Sequence, residues 1–414
     1  MNSRNHLSTT VLVIALSLAA IGCHRIASSA SSQNSIKDRG SSPVDQSMWS
    51  WMTHLGEKRN IGHEREVLRG IMDEYGVIGL SISLKLGEFW TERPTTYELD
   101  LGLENPEIGK PIDSSTVFLA GNLGQPILAY IVLDLASMEK FDIDRPLYKD
   151  LPKPVSEYPL WRDLKNDERY KRLTARRILS HQSGLVNSRT SNSDHRFAFE
   201  TEPGKNFGYS DDAYALLTCV LEQKTGRTLN DLAKSLVFDP LGMSQSSFVL
   251  EPRFKGHLAI AGSSETNRGV ADTAGRLDFF TTAADFTKFS WLAVTTGLDL
   301  AYEPLLSYIG YPEVTVRTSS IFHRFRPGQH SVLPKGLSWF LGWGRYVLPH
   351  ILLDNCFFIG QRGQGIDGYA MAYESQKSLA LTIFCSSNRS DSAMPRIVKE
   401  ILGEIETPLA WLGF

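Results

Sequence analysis

Little in this sequence points to a partner by charge. Lysine and arginine total 43 against 46 aspartates and glutamates, which leaves a formal charge of −3 and no basic field for nucleic acid. A Gly-Lys-Ser/Thr phosphate loop is missing, and the glycine-rich run from Gly360 to Gly368 leads into no helical pattern. The 10 histidines are scattered, with no His-Glu-x-x-His and no ligand spacing, so neither a metal nor another cofactor is implied. Cysteine is scarce as well. Four occur, Cys23, Cys219, Cys356 and Cys385, and their spacing fits no zinc motif. Cys219 falls on an apolar helix face and reads as a small buried hydrophobe. A bridge between Cys356 and Cys385 is allowed by the sequence but not demanded by it.

Long hydrophobic runs are also lacking, apart from Val11 to Ile21, which is too short to span a bilayer comfortably. Arg4 and His6 precede this run and Gly22-Cys23 closes it, so residues 1–22 read as a secretory signal. Ala-Ile-Gly-Cys resembles a bacterial lipoprotein box with Cys23 as the lipidated first residue; the other reading is simple cleavage into the periplasm. Residues 23–46 are rich in Ser, Asn, Gln and Gly and poor in large apolar residues, the composition of a flexible tether. The expected product is exported, in the periplasm or on the outer membrane.

What is present from residue 47 to 414 is an ordinary globular composition, 42% hydrophobic and 21% charged over the whole chain, with order expected from Trp49 to Trp51 onward. Val67, Leu68, Ile71, Met72 and Tyr75 share one face of a helix. Leu80, Ile82, Leu84 and Leu86 alternate with Ser81, Ser83 and Lys85, which reads as a half-buried strand ended by Gly87. Residues 116–260 are mainly helical; Ala213, Leu216, Leu217, Val220 and Leu221 mark one helix, stopped by Gly226. Strands return at Asn355 to Ile359, Tyr369 to Tyr373 and Leu379 to Cys385, before a last helix opening at Pro395. The expected fold is α/β (α+β): an antiparallel sheet built from both chain ends, flanked by helices, with a helical insertion between them.

Three segments carry chemistry-bearing residues. They are FLAGNLGQPILAY from Phe118 to Tyr130, then LSHQSGL from Leu179 through EPGKNFGYSDD to FDPLGM at Phe238 to Met243, and LGWG at Leu341 to Gly344 followed by FFIGQRGQGIDGYAMAYES. In order, spacing and framework these resemble the serine β-lactamase and penicillin-binding-protein superfamily, in its class C-like and esterase-like branch, over residues 65 to 405. The resemblance implies a Ser-x-x-Lys pair at the start of the central helix, where one helical turn puts the lysine beside the serine hydroxyl. Asn122 and Gln125 stand at those positions. A carboxamide is neither a useful nucleophile nor a proton acceptor at neutral pH. The family's Tyr-x-Asn survives as Tyr209-Ser210-Asp211, with Asp211 replacing an amide that donates to substrate.

The third motif, His-x-Gly or Lys-x-Gly on an inner strand, has two registers here. One places Arg362 at the His/Lys position and Gln364 at the glycine; the other gives Gln361-Arg362-Gly363. Arg362 is then either a cation for a carboxylate or a solvated residue at a strand end. Backbone N–H donors near Asn122 and Gln364 would form the family's oxyanion hole. Ser137-x-x-Lys140 is a literal match displaced to the end of the central helix and reads as a false one, while His181 and Ser183 lie in a turn that reads as scaffold.

Two readings follow. The first is a catalytically degraded relative that binds or scaffolds, with a cell-wall peptide or an envelope protein as partner and a lipid anchor at the membrane. The second is an enzyme of the same fold with rearranged chemistry, of esterase, amidase, D-Ala-D-Ala peptidase or β-lactamase type.

Overall fold

The computed structural model describes residues 50–52, 58–88, 94–189, 196–260, 277–296, 314–315, 337–347, 355–363, 365–374, 377–387, 389, 391–403, 409–412 and 414. Cys23, Gln364, the signal segment and the tether lie outside the described residues. A short antiparallel pair, Ser50–Met52 with Lys58–Asn60, leads directly into helix α1, Ile61–Tyr75. Asn60 caps that helix by accepting the Gly62 N–H at 2.9 Å, and Gly76 ends it in the left-handed conformation at φ 64°, an arrangement glycine adopts at little cost.

The sheet then begins with β1, Val77–Glu88, β2, Thr95–Asn105, and β3, Lys110–Pro111. Six strands from the C-terminal part complete it: β4, Val314–Thr315; β5, Leu337–Trp339; β6, Gly344–Val347; β7, Asn355–Gly363; β8, Ile366–Glu374; and β9, Lys377–Ser387. The spatial order is β3-β2-β1-β9-β8-β7-β6-β5-β4, antiparallel throughout. The β1–β9 ladder, from Glu88↔Lys377 to Gly79↔Ser386, is the seam where the two ends of the chain meet.

Strand β1 is buried on both faces, not half-buried. Leu80, Ile82 and Leu84 point into one layer, and Ser81 and Ser83 are also buried. Helix α5, Ala283–Thr296, covers the polar face: Thr287 Oγ1 donates to Ser83 O at 3.2 Å and meets Thr382 Oγ1 at 2.8 Å. Small hydroxyl residues suit that contact because they let the helix approach the sheet closely; Ser81 Oγ donates to Asp100 Oδ1 at 2.7 Å, while the Ser83 hydroxyl is buried without a partner among the described residues. Sequence reasoning passes over β2, although Tyr97, Leu99, Leu101 and Leu103 alternate along it.

The opposite face carries α6, Met394–Leu402, and the short α7, Leu409–Leu412. Gly360 lies beneath the side chains of Leu412 and Phe414, and Ser392 Oγ donates to Asp367 Oδ2 at 2.6 Å.

The middle of the chain supplies α2, Gly124–Ser137, the short α3, Ala175–Leu179, and α4, Asp211–Thr225, among several 3₁₀ turns. Helix α2 is buried along most of its length, which explains its all-round apolar sequence. Helix α4 opens on Ser210, whose hydroxyl accepts the Ala213 N–H at 3.2 Å, carries Asp211 and Asp212 in its first turn, and closes on Gly226 at φ 67°. The acidic first turn complements the helix dipole. A stacked pair, Phe118 on Phe384 at 5.0 Å, ties the start of the helical part to the sheet. Cys356 and Cys385 are both buried and free. They sit on β7 and β9 with β8 between, opposite Tyr373 and Asp367 respectively, far beyond disulfide reach.

Candidate active site

The candidate site lies where the turn leading into α2, the start of α4 and one face of β7 meet. Its first wall is set by the backbone. Phe118–Leu119 pairs with Phe280–Thr281, and Phe279 O accepts the N–H groups of Ala120 at 2.6 Å and Gly121 at 3.2 Å. A 3₁₀ turn, Gly121–Leu123, follows and runs into α2. Asn122 sits on this turn half-buried, and its carboxamide makes no hydrogen bond to a described residue. One turn on, Gln125 is 1% exposed.

Gln125 Nε2 donates to Tyr209 Oη at 2.9 Å and to Asp211 Oδ1 at 2.9 Å. Both amide protons are thereby used. Its Oε1 is buried without a hydrogen-bond partner among the described residues. The structure thus brings Asn122, Gln125, Tyr209 and Asp211 together in one place.

Tyr209 is held from behind by His181. The two rings lie 4.2 Å apart, and Tyr214, Trp339 and Phe207 surround the imidazole at 5.1, 4.9 and 5.7 Å. His181 is fully buried and sits in the left-handed region at φ 53°, a conformation that costs a non-glycine residue about 1 kcal/mol or more. The turn is fixed by Gly208 N–H on His181 O at 2.7 Å and by Ser210 N–H on His181 Nδ1 at 3.2 Å. Burial pushes the imidazole pKa down to about 3, so the ring is neutral and acts as a wall. Ser183 is scaffold as well: fully buried, its Oγ accepts the Leu185 N–H at 3.2 Å.

The electrostatics around Tyr209 oppose a phenolate. Burial and the Asp211 carboxylate push its hydroxyl well above the usual tyrosine range, against the single lowering hydrogen bond from Gln125. No lysine cation stands at position 125 to reverse this.

The third wall resolves the strand register by geometry. Gln361 faces the cleft: its Oε1 accepts the Asn122 N–H at 2.8 Å and its Nε2 donates to Leu119 O at 3.3 Å. Neighbouring residues of a strand point to opposite faces, so Arg362 is directed to the far side of the sheet. There its Nε lies 4.0 Å from Asp367 Oδ1, its partner across the β7–β8 ladder. Placing Arg362 in the cleft is therefore corrected; Gln361 takes the inward position. Sequence reasoning also missed Gly121, whose φ of 41° and missing side chain make room for Gln361. Ser137 is exposed at the far end of α2 and bonds Asp134 O at 2.7 Å, remote from the cleft. Among the described residues no group of three or more His, Cys, Asp or Glu is placed to hold a metal.

A sheet built from both chain ends, with a buried helix whose first turn faces an inner strand and a tyrosine at the start of a second helix, defines the serine β-lactamase and penicillin-binding-protein-like superfamily. A model of the Beta-lactamase family matches residues 65–401, and the chain belongs to that family. It is 28% identical over 179 residues to Esterase EstB of Burkholderia gladioli, covering 37% of this chain and 44% of that protein. It is 24% identical over 225 residues to Penicillin-binding protein 4 of Amycolatopsis lactamdurans, covering 49% of this chain and 57% of that one. The match thus spans about half the length of these relatives. The octameric penicillin-binding protein homologue from Pyrococcus abyssi superposes with a TM-score of 0.63 at 17% identity, covering 85% of this chain and 80% of that one; this likeness concerns the fold.

Proposed function

We propose that the protein is a catalytically silent member of the Beta-lactamase family that works as a binding or scaffolding module in the cell envelope. The observation that carries this reading is the Gln125 carboxamide bridging Tyr209 and Asp211 at 2.9 Å each. The group standing where the family keeps its proton acceptor is neutral, with both protons committed as donors. Asn122 offers no nucleophile beside it, and Tyr209 stays a phenol. Loss of the nucleophile alone typically costs a serine hydrolase about a millionfold in turnover. The fitting ligands are those the ancestral cleft would accept, a cell-wall peptide or a segment of an envelope protein.

Incubation with a fluorescent penicillin and with a short-chain nitrophenyl ester is expected to give no stable labelling and no turnover above buffer. Labelling abolished by Asn122→Ala, or ester turnover abolished by Tyr209→Phe, overturns the reading in favour of a rearranged enzyme.

The N-terminal run and Ala-Ile-Gly-Cys support export with a lipid on Cys23. In a Gram-negative host, the full chain is expected in the membrane fraction and the Cys23→Ser variant in the soluble fraction. Equal partitioning of the two removes the anchor from the proposal.

A further inference from the structure

We propose that Gln361 is an intramolecular latch on the cleft, holding the Asn122 N–H that a ligand carbonyl or carboxylate oxygen would otherwise take. This rests on the binding reading above and adds a gate to it. The Asn122 N–H belongs to the 3₁₀ turn Gly121–Leu123 that runs into α2, just ahead of the helix start, where unpaired backbone donors and the positive end of the helix dipole favour an incoming oxygen. In this structure that donor is already satisfied by Gln361 Oε1 at 2.8 Å.

Three features make the contact a fitted one. The amide end of the same side chain donates to Leu119 O at 3.3 Å, so the carboxamide is gripped at both ends by the strand–turn segment leading into α2. Gly121 stands beside it at φ 41°, and a Cβ there would collide with Gln361 Oε1; the glycine opens the space the latch fills. On the far face of β7, Gly360 lies under Leu412 and Phe414 and Arg362 approaches Asp367 at 4.0 Å. The strand is therefore held from behind, and its inward residue is Gln361.

A ligand oxygen reaches the Asn122 N–H only after the Gln361 side chain swings out. If the latch is closed nine times in ten, the apparent affinity falls about tenfold, since only the open fraction binds.

The test reads the latch directly. In the full-length protein, hydrogen exchange of the Asn122 amide is compared between wild type, Gln361→Ala and Gln361→Glu. Exchange is expected to accelerate about tenfold or more in Gln361→Ala and by less in Gln361→Glu, which keeps the acceptor for the Asn122 N–H but loses the donor to Leu119 O. The amides of Ala120 and Gly121, both bonded to Phe279 O, are expected to stay protected in every variant, which separates latch loss from local unfolding. Titration with N-acetyl-D-alanine, followed at the Asn122 amide resonance, is expected to show about tenfold tighter binding to Gln361→Ala. Unchanged Asn122 exchange in Gln361→Ala overturns the latch. Faster exchange with equal affinity for the probe overturns its role as a gate. Ester turnover by the wild type sinks the non-catalytic reading and leaves the exchange result standing.

Discussion

Restoring serine at 122 and lysine at 125 together is expected to leave ester hydrolysis close to the wild-type background. Two neighbours oppose the restored pair. A lysine ammonium at position 125 takes the place of the Gln125 amide, which lies 2.9 Å from Asp211 Oδ1. A carboxylate that close favours the charged lysine, so the group holds its proton when the serine needs to lose one. Gln361 meanwhile keeps the Asn122 N–H at 2.8 Å, where an oxyanion would be stabilised. Adding Asp211→Asn and Gln361→Ala to the double variant removes both obstacles. A positioned general base is worth about 10²–10⁴ in rate, and one oxyanion donor about 10²–10³. The fourfold variant is therefore expected to exceed the double variant by on the order of 10³ in kcat/KM on a nitrophenyl ester, read from initial rates. If the double variant alone turns over as fast as the fourfold one, Asp211 and Gln361 are not obstacles.

The second large effect concerns His181. Replacing it by alanine is expected to cost about 3–5 kcal/mol of stability, from the aromatic cavity left behind and the orphaned Ser210 N–H. His181→Asn is expected to lose less, because asparagine tolerates the left-handed backbone. The pH dependence has a defined sign. The folded imidazole has its pKa pushed from 6.5 down to about 3, while the unfolded chain titrates near the ordinary value. Below pH about 6.5 the unfolded state binds a proton that the folded state refuses, so stability is full above that pH and falls as the solution is acidified toward pH 3. Between pH 7 and pH 4.5 this group alone removes about 2–3 kcal/mol. Chemical denaturation at the two pH values should show a loss smaller by that amount in His181→Asn than in the wild type. An equal loss in both would show that His181 is not the source.

The both-ends sheet was legible because alternation is local: Leu80 to Leu86 and Leu379 to Cys385 carry it in their own residues, and these two strands form the central seam. What alternation leaves open is which face is wet. Ser81 and Ser83 look solvent-facing, yet α5 covers them from more than 200 residues away, with Thr287 as the reaching side chain. The same limit governs the cleft. Asn122, Gln125, Tyr209 and Asp211 stand at motif spacings that the chain displays openly, and the structure brings them together. The inward residue of β7 is a different matter. Gln361 and Arg362 are adjacent, both polar, and equally acceptable at a strand end. The choice between them is made by pairing with β8 and by a hydrogen bond to a residue 239 positions earlier, and no local periodicity encodes that.

The close fit between Gly121 and Gln361 carries a consequence for how such chains diversify. A β-carbon at 121 would meet the far end of the Gln361 side chain and push it out of its closed position, and the φ of 41° disfavours a side chain there as well. Lineages that keep the carboxamide at 361 closed onto the Asn122 N–H should retain glycine at 121, and lineages that gain a side chain at 121 should hold residue 361 away from that N–H. The pair is a two-letter barcode for the latched cleft, readable in genomes without a structure.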